Sequence, residues 1–392
     1  MNAQTLKSKR LYSIDALRGV AALAVVVWHW QHFFAITGTW MAGWNRASQP
    51  FYPYLKPLYD EGWAAVDLFF AVSGFVFFWL YREPVAARKV GASQFALQRF
   101  SRLYPIYFVT LIVAAALQLL FHHATGTWFI FDANDWQHFI RSIFLVQNWL
   151  PPDEAQSFNG PAWAVSIEVL LYVVFFVLVR LGLRGPWQAL ALVALGALIF
   201  PYDGQIARGI MGFFMGGAMF YVTSRIASWR SARTATKLIA VAALMAWVVG
   251  VIEVYLGPIA WLFRAAPAAL SRFLIANEYQ EFLFAWILIV CPLTLTALAL
   301  HEEVFAAQYA RLSYLGDISY STYMVHFPMQ LTLALLALRF GWKSTDFQTG
   351  IAMILFYGGM IALGALSYTY FERPVQKLIR GRPKPSVLSP VQ

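Results

Sequence analysis

IDALRGVAALAVVVWHWQHFF, residues 14–34, is long and apolar enough to cross a bilayer, yet it carries Arg18 near its start and His29 well inside. A helix rises 1.5 Å and turns 100° per residue, so the step from Arg18 to His29 advances roughly 16 Å and returns to nearly the same face. One face therefore joins a cation at one membrane surface to an imidazole deep in the hydrocarbon. Ionisable groups in that medium are costly unless paired or wetted, which marks both residues as functional candidates.

The rest of the chain shares this solvent. With 60% apolar residues, 17% aromatic and 12% charged, and a mean hydropathy of +0.58, the 392 residues carry too little polar surface for a soluble globule. The expected fold class is all-α, a polytopic bundle. Apolar runs of about twenty residues predict ten spans, near 14–36, 62–81, 102–121, 162–181, 187–201, 206–223, 237–256, 282–300, 316–338 and 350–371. The shortest is 187–201, and 139–150 reads as an interfacial or re-entrant piece. Residues 1–374 are expected to form one membrane domain, followed by a basic, proline-containing, disordered tail over 375–392. The first span reads as a retained signal anchor, because aromatic sequence follows it instead of a cleavage site. The single cysteine, Cys291, excludes a disulfide framework and a cysteine-based metal site.

Lysines and arginines set the orientation. The connections on one side, including Lys7, Lys9, Arg82, Arg88, Lys89, Arg99, Arg102 and the tail, carry 20; those on the other, Arg46, Lys56, Arg141, Arg208, Arg264, Arg272, Arg339 and Lys343, carry 8. The positive-inside rule then puts both termini in the cytoplasm. The net charge of +10 follows largely from this bias, with no nucleic-acid module beside it, and implies contact with anionic lipid. The largest outward connection, 122–161, holds Asp132, Asp135, Asp153 and Glu154 among Trp128, Trp136 and Trp149. It suits a lid or a sugar-binding surface, or a set of interfacial anchors.

Six motifs in order resemble the acyltransferase-3 family of integral membrane acyltransferases. They are SIDALRGVAALAVVVWHW (13–30) with its Arg-x10-His spacing, VDLFFAVSGFVFF (66–78), QRFSRLYPIY (98–107), NGPAWAVSIEVLLY (159–172), LGDISYSTYMVHFPM (315–329) and SYTYFERPVQK (367–377). Each is weak alone; the ordered set is specific. The fused branch of that family adds an SGNH domain, which this sequence lacks, so a single-module mechanism is expected.

Physical reading of the same residues agrees. Asp67 lies about five residues, and Glu168 about six, into helices entering from outside, at a depth similar to that of His29. An imidazole beside a carboxylate is a suitable general base. Both carboxylates also suit interhelical glue. His326, near mid-membrane before Pro328, is either a catalytic or substrate-binding group or a repair of the backbone carbonyl that the proline frees. Arg99 and Arg102, at i and i+3 with Arg18 at similar depth, suit a diphosphate or 3′-phosphate cradle as in coenzyme A, although topology alone also explains basic residues there. Ser73 and Gly74 lack the context of a nucleophile elbow and are expected to let helices approach closely. No ligand-spaced motif supports a metal at His29 and His326.

The resemblance implies transfer of an acyl group, acetyl above all, from acetyl-CoA as donor substrate to a hydroxyl of a carbohydrate or lipid-linked glycan, with no permanently bound cofactor, in a bacterial inner membrane. Arg18, Arg99 and Arg102 would hold the CoA phosphates, and His29 would meet the thioester, either as a base or as covalent carrier of the acyl group, with Glu168, Asp67 and His326 around it. The competing class is a proton-coupled transporter or exporter using His29, Glu168 and His326 as a relay. Its sign would be paired broken helices in the two halves, and the sequence carries no such pair.

Overall fold

The computed structural model describes residues 10–149, 156–259, 261 and 278–381, and the regular elements among them are all helical. In chain order these are α1 (Tyr12–His29), α2 (Tyr52–Glu61), α3 (Ala65–Leu80), α4 (Arg82–Ala86), α5 (Ala92–Thr125), α6 (Trp136–Ile143), α7 (Trp163–Arg180), α8 (Pro186–Ile199), α9 (Gly204–Ala227), α10 (Ala232–Leu256), α11 (Glu278–Ala285), α12 (Cys291–Phe340), α13 (Gly350–Leu366) and α14 (Arg373–Arg380). Short 3-10 and π turns join several of them. Among the described residues nine helical segments are long and apolar enough to cross a membrane, and each falls on an expected span. The expected tenth is α8, whose 14 residues cover about 21 Å, short of the ~30 Å hydrocarbon core. The chain is a multi-pass membrane protein.

At the centre, α1 packs most extensively against α12. Two glycines permit it: a Cβ on Gly19 would lie 2.7 Å from the Leu315 carbonyl carbon, and one on Gly316 would collide with the Asp15 backbone. The start of α1 is held from across the bundle. Glu302 accepts hydrogen bonds from the backbone N–H groups of Tyr12 (2.8 Å) and Ser13 (2.9 Å), which a lone helix start leaves unsatisfied. Arg10 pairs with Asp15 and Asp317, each at 2.7 Å.

At 50 residues, α12 would reach about 75 Å if straight, more than twice the hydrocarbon thickness. A non-helical residue, Phe305 (φ −119°, ψ 15°), divides it into two spans, with Glu302 of the first meeting the start of α1 and Asp317 of the second meeting Arg10 just before it. The second close pair is α3 on α9. There Gly74 lies against the Phe213 backbone and Gly216 against that of Ala71, as expected for Gly74.

Two boundaries move. Residues 375–380 are not tail but the end of α14, which docks on α5; residues 382–392 of the expected tail lie outside the described residues. The 139–150 piece becomes α6, eight residues capped by Asp135, which accepts from the N–H groups of Gln137 and His138. Of the outward connection's acidic residues, Asp153 and Glu154 lie outside the described residues. Trp149 is half-buried and tied to α7, its Nε1–H donating to the Ser166 carbonyl at 2.9 Å.

Candidate active site

His29 is the last residue of α1, where the chain tightens into a 3-10 turn, Trp30–Ala35. At three residues per turn, side chains at i and i+3 eclipse, so His32 comes onto the same face, its ring centroid 5.0 Å from that of His29. From α12, His326 arrives 4.9 Å from His29. All three imidazoles are buried. Gln330, one turn beyond His326, clasps the group by donating to the His29 carbonyl (2.9 Å) and accepting from His32 Nδ1 (3.2 Å).

The backbone fixes the tautomers of the central pair. His29 Nδ1 donates to the Val25 carbonyl at 3.0 Å, and His326 Nδ1 to the Tyr323 carbonyl at 2.5 Å. Each Nε2 is thereby left as the lone-pair nitrogen. That of His326 is buried and has no hydrogen-bond partner among the described residues. The carbonyl freed by Pro328 belongs to Met324, four residues back, and its donor is Asn159 Nδ2 at 3.2 Å. Asn159, and not His326, makes the repair. Above this group, Phe129 and Phe131 of the outward connection pack on His32 and Phe327, which fits a lid. Beside it, a recess lined by Tyr107, Ser142, Gln147, Asn148 and Asn159 holds three buried amide oxygens, those of Gln147, Asn148 and Asn159, that accept no hydrogen bond among the described residues.

Neither carboxylate expected beside His29 is brought to it. Asp67, fully buried on α3, is engaged by Arg208 of α9 through two bonds, Oδ1 to Nε at 3.0 Å and Oδ2 to Nη2 at 2.9 Å. The guanidinium lies over Trp63 (4.8 Å) and Trp163 (5.1 Å). A buried, bidentate pair of this kind is glue between helices. Arg208, counted in the sequence as a connection charge, belongs instead to the interior of α9. Glu168 accepts from Ser73 Oγ at 3.1 Å and from Tyr172 Oη, and its electrostatic neighbours are Arg18 and Arg102. It belongs to the arginine end of the site.

That end gathers what the sequence placed at one depth. Arg18 donates to Ser319 Oγ (3.2 Å) and faces Arg102. Arg99 donates to Tyr81 Oη (2.5 Å), lies over the rings of Phe77 and Tyr81, and keeps a buried Nε without a partner. Arg102 makes no hydrogen bond or ion pair among the described residues, although Tyr172, Glu168 and Tyr81 are near. The continuous α1 sets Arg18 and His29 roughly 16 Å apart on one face. Among the described residues no group of three or more His, Cys, Asp or Glu is arranged to hold a metal.

The sequence reading missed His32, Gln330 and Arg208. Spacing could have found the first two, at i+3 from His29 and i+4 from His326. Arg208 stood inside the expected span 206–223, where an ionisable residue is itself a signal, but was counted as a connection charge.

Comparison with known proteins bears on this geometry. The chain is 27% identical to the acyltransferase MdmB of Streptomyces mycarofaciens, over 97% of this chain and 95% of that one. It is 25% identical to the exopolysaccharide production protein ExoZ of Rhizobium meliloti, over 82% and 91%. It is 24% identical to the peptidoglycan O-acetyltransferase OatA of Listeria monocytogenes, over 95% of this chain and 57% of that protein. No solved structure matches. A family model described as Acyltransferase domain matches residues 11–370, nearly the whole described bundle. The chain belongs to the acyltransferase-3 family and is a membrane acyltransferase.

Proposed function

We propose that this acyltransferase moves an acetyl group from acetyl-CoA to a hydroxyl of a carbohydrate or lipid-linked glycan, in a bacterial inner membrane with both termini cytoplasmic. The observation that carries the reading is the two-ended helix α1: a cation cluster at one end and, roughly 16 Å along the same face, an imidazole whose Nε2 is left open. The arginines suit the CoA phosphates, and the pantetheine arm runs beside α1 to bring the thioester to His29. His29 Nε2 takes the proton of the acceptor hydroxyl as the oxygen attacks the thioester carbonyl. The tetrahedral intermediate then expels the CoA thiolate, which the imidazolium protonates. His326, its own Nε2 free, lies close enough to position the acceptor or share the proton. Acetyl as the group, and a glycan as acceptor, draw support from the names of the O-acetyltransferase and exopolysaccharide relatives. The recess of unpaired amide oxygens lined by Asn159, about 10 Å³, offers acceptors to a single O–H group at its mouth.

The test is release of CoA from acetyl-CoA by the purified protein, with and without glycan acceptors. Wild type should release CoA, faster with acceptor, and His29→Ala should slow this by the 10²–10⁴ typical of a removed acid–base group. Proton-coupled movement of a solute across vesicles, without CoA release, would overturn the reading.

A further inference from the structure

The short C-terminal helix α14 carries a fourth guanidinium to the arginine end. Arg380 Nε donates to Ser101 Oγ at 2.8 Å and Nη2 to the Gln98 carbonyl at 3.2 Å, so it is docked on the first turns of α5 between the levels of Arg99 and Arg102. It faces the like charges of both. Four guanidiniums therefore converge from three parts of the chain, α1, α5 and α14. Their near anionic neighbours are Asp15, Glu168 and Glu372, one fewer than the four cations. Cations crowded in this way, with Arg102 unpaired and the Nε of Arg99 buried without a partner, repel one another until an anion of several charges sits among them.

The four are not equivalent in depth. Arg18 lies toward His29 along α1, and Arg102 is one turn further along α5 than Arg99. Arg18 and Arg102 thus form an inner pair, and Arg99 and Arg380 an outer pair. A CoA thioester that enters from the arginine end leads with its acyl group; the diphosphate follows the pantetheine, and the 3′-phosphate of the ribose comes last. Matching these two orders, and resting on the donor reading above, we propose that Arg380 is a specificity residue for the 3′-phosphate of CoA, with Arg99 as its partner, while Arg18 and Arg102 take the diphosphate. The helix that carries Arg380 then serves as one wall of the donor entrance.

Binding of acetyl-CoA and of 3′-dephospho-acetyl-CoA to the full-length protein tests this. Loss of one charge-assisted phosphate contact should weaken acetyl-CoA binding by about tenfold. Arg380→Gln should show that loss with acetyl-CoA and none with the dephospho ligand, which already lacks the partner. Arg380→Lys, which keeps the cation, should recover part of the discrimination and controls for undocking of α14. Arg18→Gln should weaken both ligands alike. If Arg380→Gln weakens both equally, or neither, as it would if Arg380 met only lipid phosphate, the assignment falls. If wild type binds neither ligand, the donor reading itself falls.

Discussion

His29 and His326 each give their Nδ1–H to a carbonyl of their own helix, and no carboxylate touches either among the described residues. In this site the backbone sets the tautomer that a carboxylate sets in a catalytic triad. Glu168→Gln should therefore leave the position of the pH–rate profile unchanged. Its effect should fall on donor affinity, which tightens when a negative charge beside Arg18 and Arg102 is removed. Kd for acetyl-CoA and the pH dependence of kcat, measured on one preparation, check this; a displaced profile would put Glu168 back beside the imidazole. Asp67 belongs to the opposite category. Asp67→Ala strands a buried guanidinium and should cost about 3–5 kcal/mol, seen as a lower unfolding midpoint in detergent. The double change Asp67→Leu with Arg208→Met should regain most of it. Failure to regain stability would mean that the pair does more than join α3 to α9.

At the scale of elements, the placement of His29 depends on how α1 is held at its other end. Glu302 satisfies two of the first N–H groups of α1 from another helix, with a carboxylate at the positive end of the helix dipole. Glu302→Ala should lower stability by about 0.5–2 kcal/mol, as for lost N-caps. Gly316→Val, by contrast, forces α1 away from α12 and so separates His29 from His326. It should reduce turnover and, because Arg18 moves with α1 away from Ser319, weaken acetyl-CoA binding as well, though less than loss of the whole cluster since the arginines on α5 and α14 stay in place. In the outward connection, backbone N–H donation from His138, with that from Gln137, holds the Asp135 carboxyl below the usual carboxylate range. A depressed folded-state pKa stabilises α6 above the ordinary carboxylate pKa and ceases to do so as pH falls through the folded value. Hydrogen exchange in 136–143 should accordingly quicken at acidic pH, and Asp135→Ala should abolish that change.

For the whole molecule, the charge asymmetry of the connections predicts cytoplasmic termini, which requires the short α8 to complete an even number of crossings. A reporter fused after Gln392 should read cytoplasmic, and one inserted near Asp135 periplasmic; the same side for both would break the assignment. Removing Arg208 from the outward count, since it lies inside α9, only widens the asymmetry. Helix α10 is almost wholly exposed on the bundle surface, as suits a lipid-facing span. Its apolar side chains should tolerate exchange among Leu, Ile and Val with little change in activity.

Membrane class, the spans and the Arg18-to-His29 axis were legible in the sequence because hydrocarbon imposes its terms residue by residue: twenty apolar positions make a span, and an ionisable one within it stands out. Helical geometry then fixed the axis without any neighbour, since α1 supplies both residues. Partner choice was not legible. Asp67 and Glu168 share the depth of His29, yet which groups meet depends on how the helices rotate and how closely glycines let them approach, as at Gly74 and Gly316. Only the packed bundle decided that Asp67 went to Arg208, that Glu168 went to the arginines, that Asn159 answered Pro328, and that a backbone carbonyl was left to orient His29. Contacts between residues so distant in sequence leave no period or spacing along the chain by which to find them.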